Sequence, residues 1–308
     1  MNIKKYPEFT KLTTSDKTTY EDLIKYFPPI SDIAFPTLFI WWDALNGSIL
    51  SEHNGNLIIR YKVKDDPLNS GISVIGNKNV DQTINYIFDD LRKKDISPQL
   101  VHVPQLTINH ITNKELYNIS AELDYREYIL DAFSLSQLSS STQAKNRRKI
   151  GKFLRTVEGR KIHEKTLDLS IDKNRELLIK KTLEWFEVYG LKNDKQGDEL
   201  AAINKTITLN QELGMQNITI WIDDDLYGYA LFQAPGYAKQ YIIANHIRVD
   251  YSIKRIFEYV THRLATWATE HHKQFINIEM DLGIEGLHVH KQGLRPVNFF
   301  NKYRIEPK

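Results

Sequence analysis

The chain has 308 residues, 41% of them apolar and 26% charged, enough to bury one large core or two medium ones. Its formal net charge of +2 argues neither for nor against a polyanionic partner, so charge has to be read segment by segment. The absence of cysteine excludes disulfides, thiolate metal sites and thiol nucleophiles, and fits a reducing compartment. Met1–Thr10 lacks the apolar stretch of a signal peptide. The run Ile33–Leu45 is interrupted by Pro36 and Asp43 and falls short of the roughly 20 residues a membrane-spanning helix needs. The expectation is a soluble, cytoplasmic protein whose lipid contacts would be peripheral.

In chain order, Asp16–Phe27 reads as a helix capped by Thr14 or Ser15, and Phe35–Asn46 as an apolar helix beginning near Pro36. Ser48–Glu52 and Leu57–Lys64 flank Asn54–Gly55, a hairpin signal, and Gly71–Ile75 is a third strand. Val80–Lys94 is an amphipathic helix with Ile84, Ile87, Phe88 and Leu91 on one face. Gln99–Val103 is a strand, Lys114–Leu123 a helix and Tyr125–Phe133 a strand. Ser134–Thr142, a run of Ser, Gln and Leu, reads as a loop or linker.

The second half has the same order. Lys161–Thr166 is a strand, and Asn174–Tyr189 and Gly197–Leu213 are helices. Asn217–Ile222, Leu226–Ala234 and Lys239–Ile247 form a meander. Ser252–Glu270 is a long helix, Phe275–Glu279 a strand, Ile284–Lys291 a short helix and Val297–Ile305 a last strand. Two segments of like order suggest duplication. Three antiparallel strands, helix, strand, helix, strand is the order of a GNAT-type acyltransferase unit. The expected architecture is therefore α/β (α+β): two GNAT-like units in tandem, 1–140 and 141–308, each a mixed, mostly antiparallel sheet flanked by helices.

Three segments could carry chemistry. Lys145–Lys161 holds eight Lys/Arg against one acid, Glu158. At helical spacing Lys145, Arg148, Lys149, Lys152 and Arg155 share one face, and Ile150, Phe153, Leu154 and Val157 another. Such a face suits a phosphate-rich partner such as tRNA or an anionic lipid surface; the plainer alternative is a solvated helix face. The junction Arg248–Ile256 precedes the long helix, where CoA-dependent GNAT enzymes carry a glycine-rich diphosphate loop. It contains no glycine, which disfavours a CoA donor. Finally, Asn277, Glu279 and Asp281 alternate at a strand end, so all three should point to one face. Lys291 follows one short helix later. The structural alternative is that Asp281 caps that helix and Asn277 satisfies backbone groups. His288 and His290 are spaced poorly for one metal, and no metal site is expected.

The run N-I-E-M-D-L-G-I-E-G-L-H-V-H-K (Asn277–Lys291), followed by Pro296 and Lys302-Tyr303, resembles the signature of the phosphatidylglycerol lysyltransferase C-terminal domain family. That pattern is approximately N-x-E-x-D-L-G-x-x-G-L-R-x-x-K, then a Pro and K-Y. Lys145, Arg147, Ile150, Lys152 and Phe153 match the family's K-K-R-N-H-I-N-K-F block, and Pro28–Trp41 its P-x-x-S-D-x-x-F-x-x-L-F-x-W block. The chain departs from the pattern at His288, where the family has Arg. At Asn245–Asp250 the family's H-x-E-K-A-D is replaced by N-H-I-R-V-D, and Arg148 replaces an Asn.

The resemblance implies two GNAT-like units that move an amino acid from aminoacyl-tRNA, with no other cofactor, to a lipid headgroup or a small amine or hydroxyl compound. Mapped here, Asp281 would orient the donor's amino group or accept a proton, and Lys291 would meet a phosphate or the oxyanion. Glu279 belongs with these two as a candidate catalytic group. Asn277, Arg248 and His288 are candidate substrate contacts, and Lys145, Arg147 and Arg148 would hold the anionic partner. The competing readings are a GNAT enzyme with an acyl-CoA donor and a non-catalytic module that binds RNA or anionic membrane.

Overall fold

The computed structural model describes residues 2–43, 49–63, 66–189 and 195–308. The N-terminal half begins with α1 (Lys17–Ile24) and α2 (Phe35–Asp43), followed by the meander β1 (Leu50–His53), β2 (Asn56–Val63) and β3 (Asp66–Ile75). The expected element ends at Asn46, Ser48 and Lys64 lie outside the described residues. Asn54 and Gly55 take φ of 52° and 79°, the left-handed pair that a two-residue hairpin requires. Helix α3 (Val80–Lys93) buries Val80, Ile84, Ile87, Phe88 and Leu91 on one stripe, each contributing on the order of 1.5–3 kcal/mol. Then come β4 (Leu100–Pro104), α4 (Gln105–Asn109), β5 (Tyr117–Ala121) and β6 (Glu127–Asp131).

Two expectations fail in this stretch. Lys114–Leu123 is not a helix: a single 3-10 turn at Lys114–Leu116 leads into β5. Tyr117 is buried and Ile119 packs beside it, two residues apart, while Leu116 is exposed, so period 2 prevails over helical spacing. Ser134–Thr142 is not simply a linker either, because α5 (Ala132–Gln137) enters it. Asp131 caps α5 by accepting the Ser134 N–H at 2.6 Å, and Leu135 is buried.

The C-terminal half opens on α6 (Ala144–Thr156), the expected basic helix, and β7 (Ile162–Lys165). Helices α7 (Asp172–Tyr189), α8 (Lys195–Thr208) and α9 (Asn210–Leu213) follow, the last two where one helix was expected. Strands β8 (Met215–Ile222), β9 (Asp225–Gln233) and β10 (Tyr241–Val249) form the second meander. After α10 (Ile256–Glu270) and β11 (Phe275–Asn277) come α11 (Glu285–Gly293), β12 (Asn298–Phe300) and β13 (Lys302–Pro307). The single last strand expected over Val297–Ile305 is thus two strands in different sheets, divided at Asn301.

The topology exchanges strands between the halves. A seven-stranded sheet runs β12-β6-β11-β10-β9-β8-β7, so β6 of the first half lies between two strands of the second. In return β13 lies between β4 and β5. One core sits under α3, and a second lies between the large sheet and α5, α6 and α10. A third joins the halves: Phe35 and Leu38 of α2, Leu50 and Ile59 of the first meander, Trp185 of α7, Ile203 of α8, and Tyr229 and Leu231 of β9.

Candidate active site

Strands β10 and β11 run parallel, but they pair only from Tyr241–Phe275 to Ile243–Asn277. Beyond that point β10 continues to Val249 without its neighbour, and a gap opens in the large sheet. On one side of the gap, a bulge between Ala244 and His246 leaves Asn245 unpaired on the β10–β9 ladder. The bulge re-aims Asn245, whose amide donates to Thr37 Oγ1 at 3.1 Å and to Glu279 Oε1 at 3.2 Å. On the other side β11 ends at Asn277. Glu279, Leu282 and Gly283 all take positive φ (59°, 56° and 69°), so the chain coils tightly into α11.

This coil overturns the expected one-face alternation of Asn277, Glu279 and Asp281. Asn277 is fully buried and donates to Glu127 and to the Pro29 carbonyl (2.9 Å). Asp281 instead accepts from Tyr128. Glu127 and Tyr128 are adjacent in β6 and face opposite sides, so Asn277 and Asp281 do too. Glu279 lies between them. Its N–H donates to Asn277 Oδ1 at 2.8 Å, and its carbonyl accepts the Tyr128 N–H at 3.2 Å, bonds that offset the strain of its left-handed backbone. The left-handed kink is what turns Asp281 away from the strand's pattern.

Behind Glu279 is a buried charge network. Lys302 on β13 is completely buried and pairs with Asp32 and, at 2.7 Å, with Glu127. Glu127 accepts further from the N–H and hydroxyl of Ser31. Burial pushes the Glu279 carboxyl well up from its ordinary range; Lys291 opposes the shift, and the negative charges of Glu127 and Asp32 add to it. Lys291 folds back from α11 and donates to the carbonyls of Ile278 (2.6 Å) and Met280. Burial pushes its ammonium down, against the pull of Glu279 and Asp281.

Asp281 does not cap α11, whose N-cap is Ile284. Its Oδ1 accepts the Gly283 N–H at 3.0 Å, and its Oδ2 meets Tyr128 and, at 2.8 Å, His288 Nδ1. Burial works against the charged form, but these bonds outweigh it and hold the carboxyl below its ordinary range.

The structure thus brings Glu279, Asp281, His288 and Lys291 together at the loop before α11. Arg248 lies across the gap on β10, where it pairs with Glu199 and stacks its guanidinium 5.4 Å from the Phe186 ring centroid. The basic helix α6 reaches the site through one residue. Lys149 pairs with Glu258 of α10 at 3.1 Å and lies beside Gly293 at the end of α11. Lys145 and Arg148 are exposed on the outer surface. Arg147 is exposed too, but its guanidinium donates to the Leu138 carbonyl and ties down the start of α6. A cavity of about 420 Å³ lies elsewhere, lined by Lys165, Lys173, Lys180 and Trp221, and holds none of these groups.

Sequence reasoning did not single out Glu127, Tyr128, Asn245, Glu258 or Lys302 as site residues. Two signals were present: an acid within the strand expected over Tyr125–Phe133, and Lys302 with Asp32 inside the blocks that carry the resemblance.

Two antiparallel meanders, each followed by a helix and further strands, with a gap between β10 and β11, define a tandem GNAT-like protein. The chain belongs to the family described as phosphatidylglycerol lysyltransferase, C-terminal, which it matches over residues 34–306. The family is one of acyl or aminoacyl transferases. No curated protein matches the sequence significantly. Solved structures share the fold, three of them as follows. A conserved protein of unknown function from Bacteroides thetaiotaomicron superposes with a TM-score of 0.81 at 17% identity, covering 97% of this chain and 99% of its own. The C-terminal domain (DUF2156) of a lysylphosphatidylglycerol synthetase from Agrobacterium fabrum gives 0.64 at 10% identity, covering 95% and 92%. L-PGS from Bacillus licheniformis gives 0.61 at 15% identity, covering 100% and 94%. Among the described residues, no helix is long and apolar enough to cross a membrane.

Proposed function

We propose that the chain is an aminoacyltransferase. Its donor is an aminoacyl ester, aminoacyl-tRNA, and its acceptor is a lipid headgroup or a small amine or hydroxyl compound. The observation that carries the donor is Glu258. A CoA diphosphate in a GNAT-like unit needs free N–H groups and close backbone approach at the N-terminus of the helix after the meander, here α10. That first turn carries Glu258, only 7% exposed and held at 3.1 Å by both Lys149 and Arg255. Arg255 stands at the N-cap with φ 71° where a glycine would be easiest. A diphosphate there would face a fixed carboxylate.

An ester donor asks less of α10. Attack on an aminoacyl ester needs a held nucleophile and donors for the developing oxyanion. Asp281, held ionised by its hydrogen bonds, offers negative ground for the donor's ammonium group, Lys291 is the cation beside it for a developing oxyanion, and the exposed face of α6 suits tRNA phosphates. Membership of a lysyltransferase family supports the same donor. The test is to charge total tRNA with each labelled amino acid and follow label into lipid and small-molecule extracts. Transfer with none of them removes the reading. Calorimetric binding of acetyl-CoA would favour the CoA alternative.

A further inference from the structure

We propose that His288 is the general base of this site, held in the required tautomer by Asp281 and Tyr128. The inference rests on the ester-donor reading and adds a catalytic residue to it. Tyr128 is fully buried and Asp281 is 2% exposed, while the His288 side chain is 47% exposed. The imidazole therefore has one edge in a fixed pocket and the other toward solvent at the mouth of the site.

The pocket dictates which nitrogen carries the proton. His288 Nδ1 lies 2.8 Å from Asp281 Oδ2 and 3.0 Å from the Tyr128 hydroxyl oxygen. Tyr128 spends its one proton on Asp281 Oδ2. A bare Nδ1 would face the lone pairs of both oxygens at hydrogen-bond distance. A protonated Nδ1 instead donates to both, and every polar atom in the triad is then satisfied. Asp281 cannot rotate away, because its Oδ1 holds the Gly283 N–H and its own carbonyl accepts the Ile284 N–H at 3.0 Å. With Nδ1 protonated, the basic lone pair sits on Nε2, on the open edge. An acid orienting an imidazole through Nδ1–H so that Nε2 can take a proton is the working arrangement of an acid–base pair. Lys291, one helical turn along α11, is the neighbouring cation.

The step balances without any further reagent. The acceptor's hydroxyl or amine attacks the aminoacyl carbonyl as Nε2 takes its proton. The bond from acyl carbon to acceptor forms and the ester C–O bond to the tRNA ribose breaks. The proton on Nε2 then passes to the leaving ribose oxygen.

Nitrogen-15 NMR of the imidazole in the wild-type chain reads the tautomer without any substrate. The Nδ1–H form is expected when the ring is neutral; the Nε2–H form overturns the proposal. In label-transfer assays, His288→Asn keeps a donor for Asp281 but has no base. It is expected to lower kcat about 10²–10⁴-fold with an unchanged melting temperature. His288→Ala should regain activity with added imidazole, which a merely structural role would not allow. Wild-type kcat in His288→Asn overturns the proposal. If the wild type itself moves no label from tRNA, the donor reading fails on its own, and the tautomer decides the role of His288.

Discussion

Lys302 offers a direct test of what joins the two halves. Its ammonium is fully buried between Asp32 and Glu127, and Glu127 is itself fully buried. Burial alone would lower the lysine's pKa, but the two carboxylates outweigh it and raise it. Lys302→Met fills the volume but leaves two carboxylates near each other and near Glu279 without the cation that pairs with them. Breaking a buried pair from one side costs about 3–5 kcal/mol. At roughly 2–4 °C per kcal/mol for a chain this large, the melting temperature should fall by on the order of 10 °C. The companion Lys302→Met/Glu127→Gln removes one stranded charge and keeps donors and acceptors for Ser31 and Asn277. It should recover a substantial part of the loss. Calorimetry and urea unfolding of wild type, both single variants and the double variant give the coupling energy. A loss below about 1 kcal/mol for Lys302→Met, or strict additivity in the cycle, would refute the reasoning.

Further consequences follow from other parts of the fold. Burial holds His246 down at about 4, so the folded chain keeps it neutral where the unfolded chain, near 6.5, takes a proton. Its contribution is full above pH 6.5 and lost as pH falls toward 4, about 3 kcal/mol in all. Urea midpoints for His246→Gln should show a flatter dependence in that window than wild type. Gly228 on β9 packs under α10, and a Cβ there would stand 2.8 Å from Val260 Cγ2 and 3.1 Å from Val249 Cγ1. Gly228→Ala should therefore cost about 1–3 kcal/mol in thermal or denaturant unfolding. Lys145→Glu/Arg148→Glu changes two exposed side chains, so stability should stay within about 0.5 kcal/mol. If the pair touches tRNA phosphates, anisotropy titrations over a salt series should lose about 0.9 from the log–log slope per lost contact.

The sequence by itself determined the local elements and their order. The 3.6-residue stripe of α3, the Asn54–Gly55 turn and the apolar side of α6 at Ile150, Phe153 and Val157 are short-range patterns, and each survives folding because a nearby sheet or helix takes up the apolar side; the expected faces of α6 depart only at Leu154, which is exposed, and Lys149, which is turned in to pair with Glu258. It also located the loop before α11, since the acids, Lys291 and His288 lie within fifteen consecutive positions. What it could not determine is which of these groups meet.

Alternation placed Asn277 and Asp281 on one face, but that rule holds only while a strand lasts, and β11 stops at Asn277. Glu279 then takes a left-handed backbone that no pattern announces. Likewise β6 and β13 each cross into the other half's sheet, which is decided by long-range backbone pairing and leaves no local trace. That exchange alone brings Glu127 and Tyr128 beside Asn277 and Asp281, and Lys302 beneath Glu279. The resemblance blocks held Asp32 and Lys302, yet only tertiary pairing across 270 positions made them one ion pair. The chain's own order of residues thus fixes the address of the site. Strand exchange and one kinked residue decide its chemistry, because they set which charges are buried together and which imidazole nitrogen is left free.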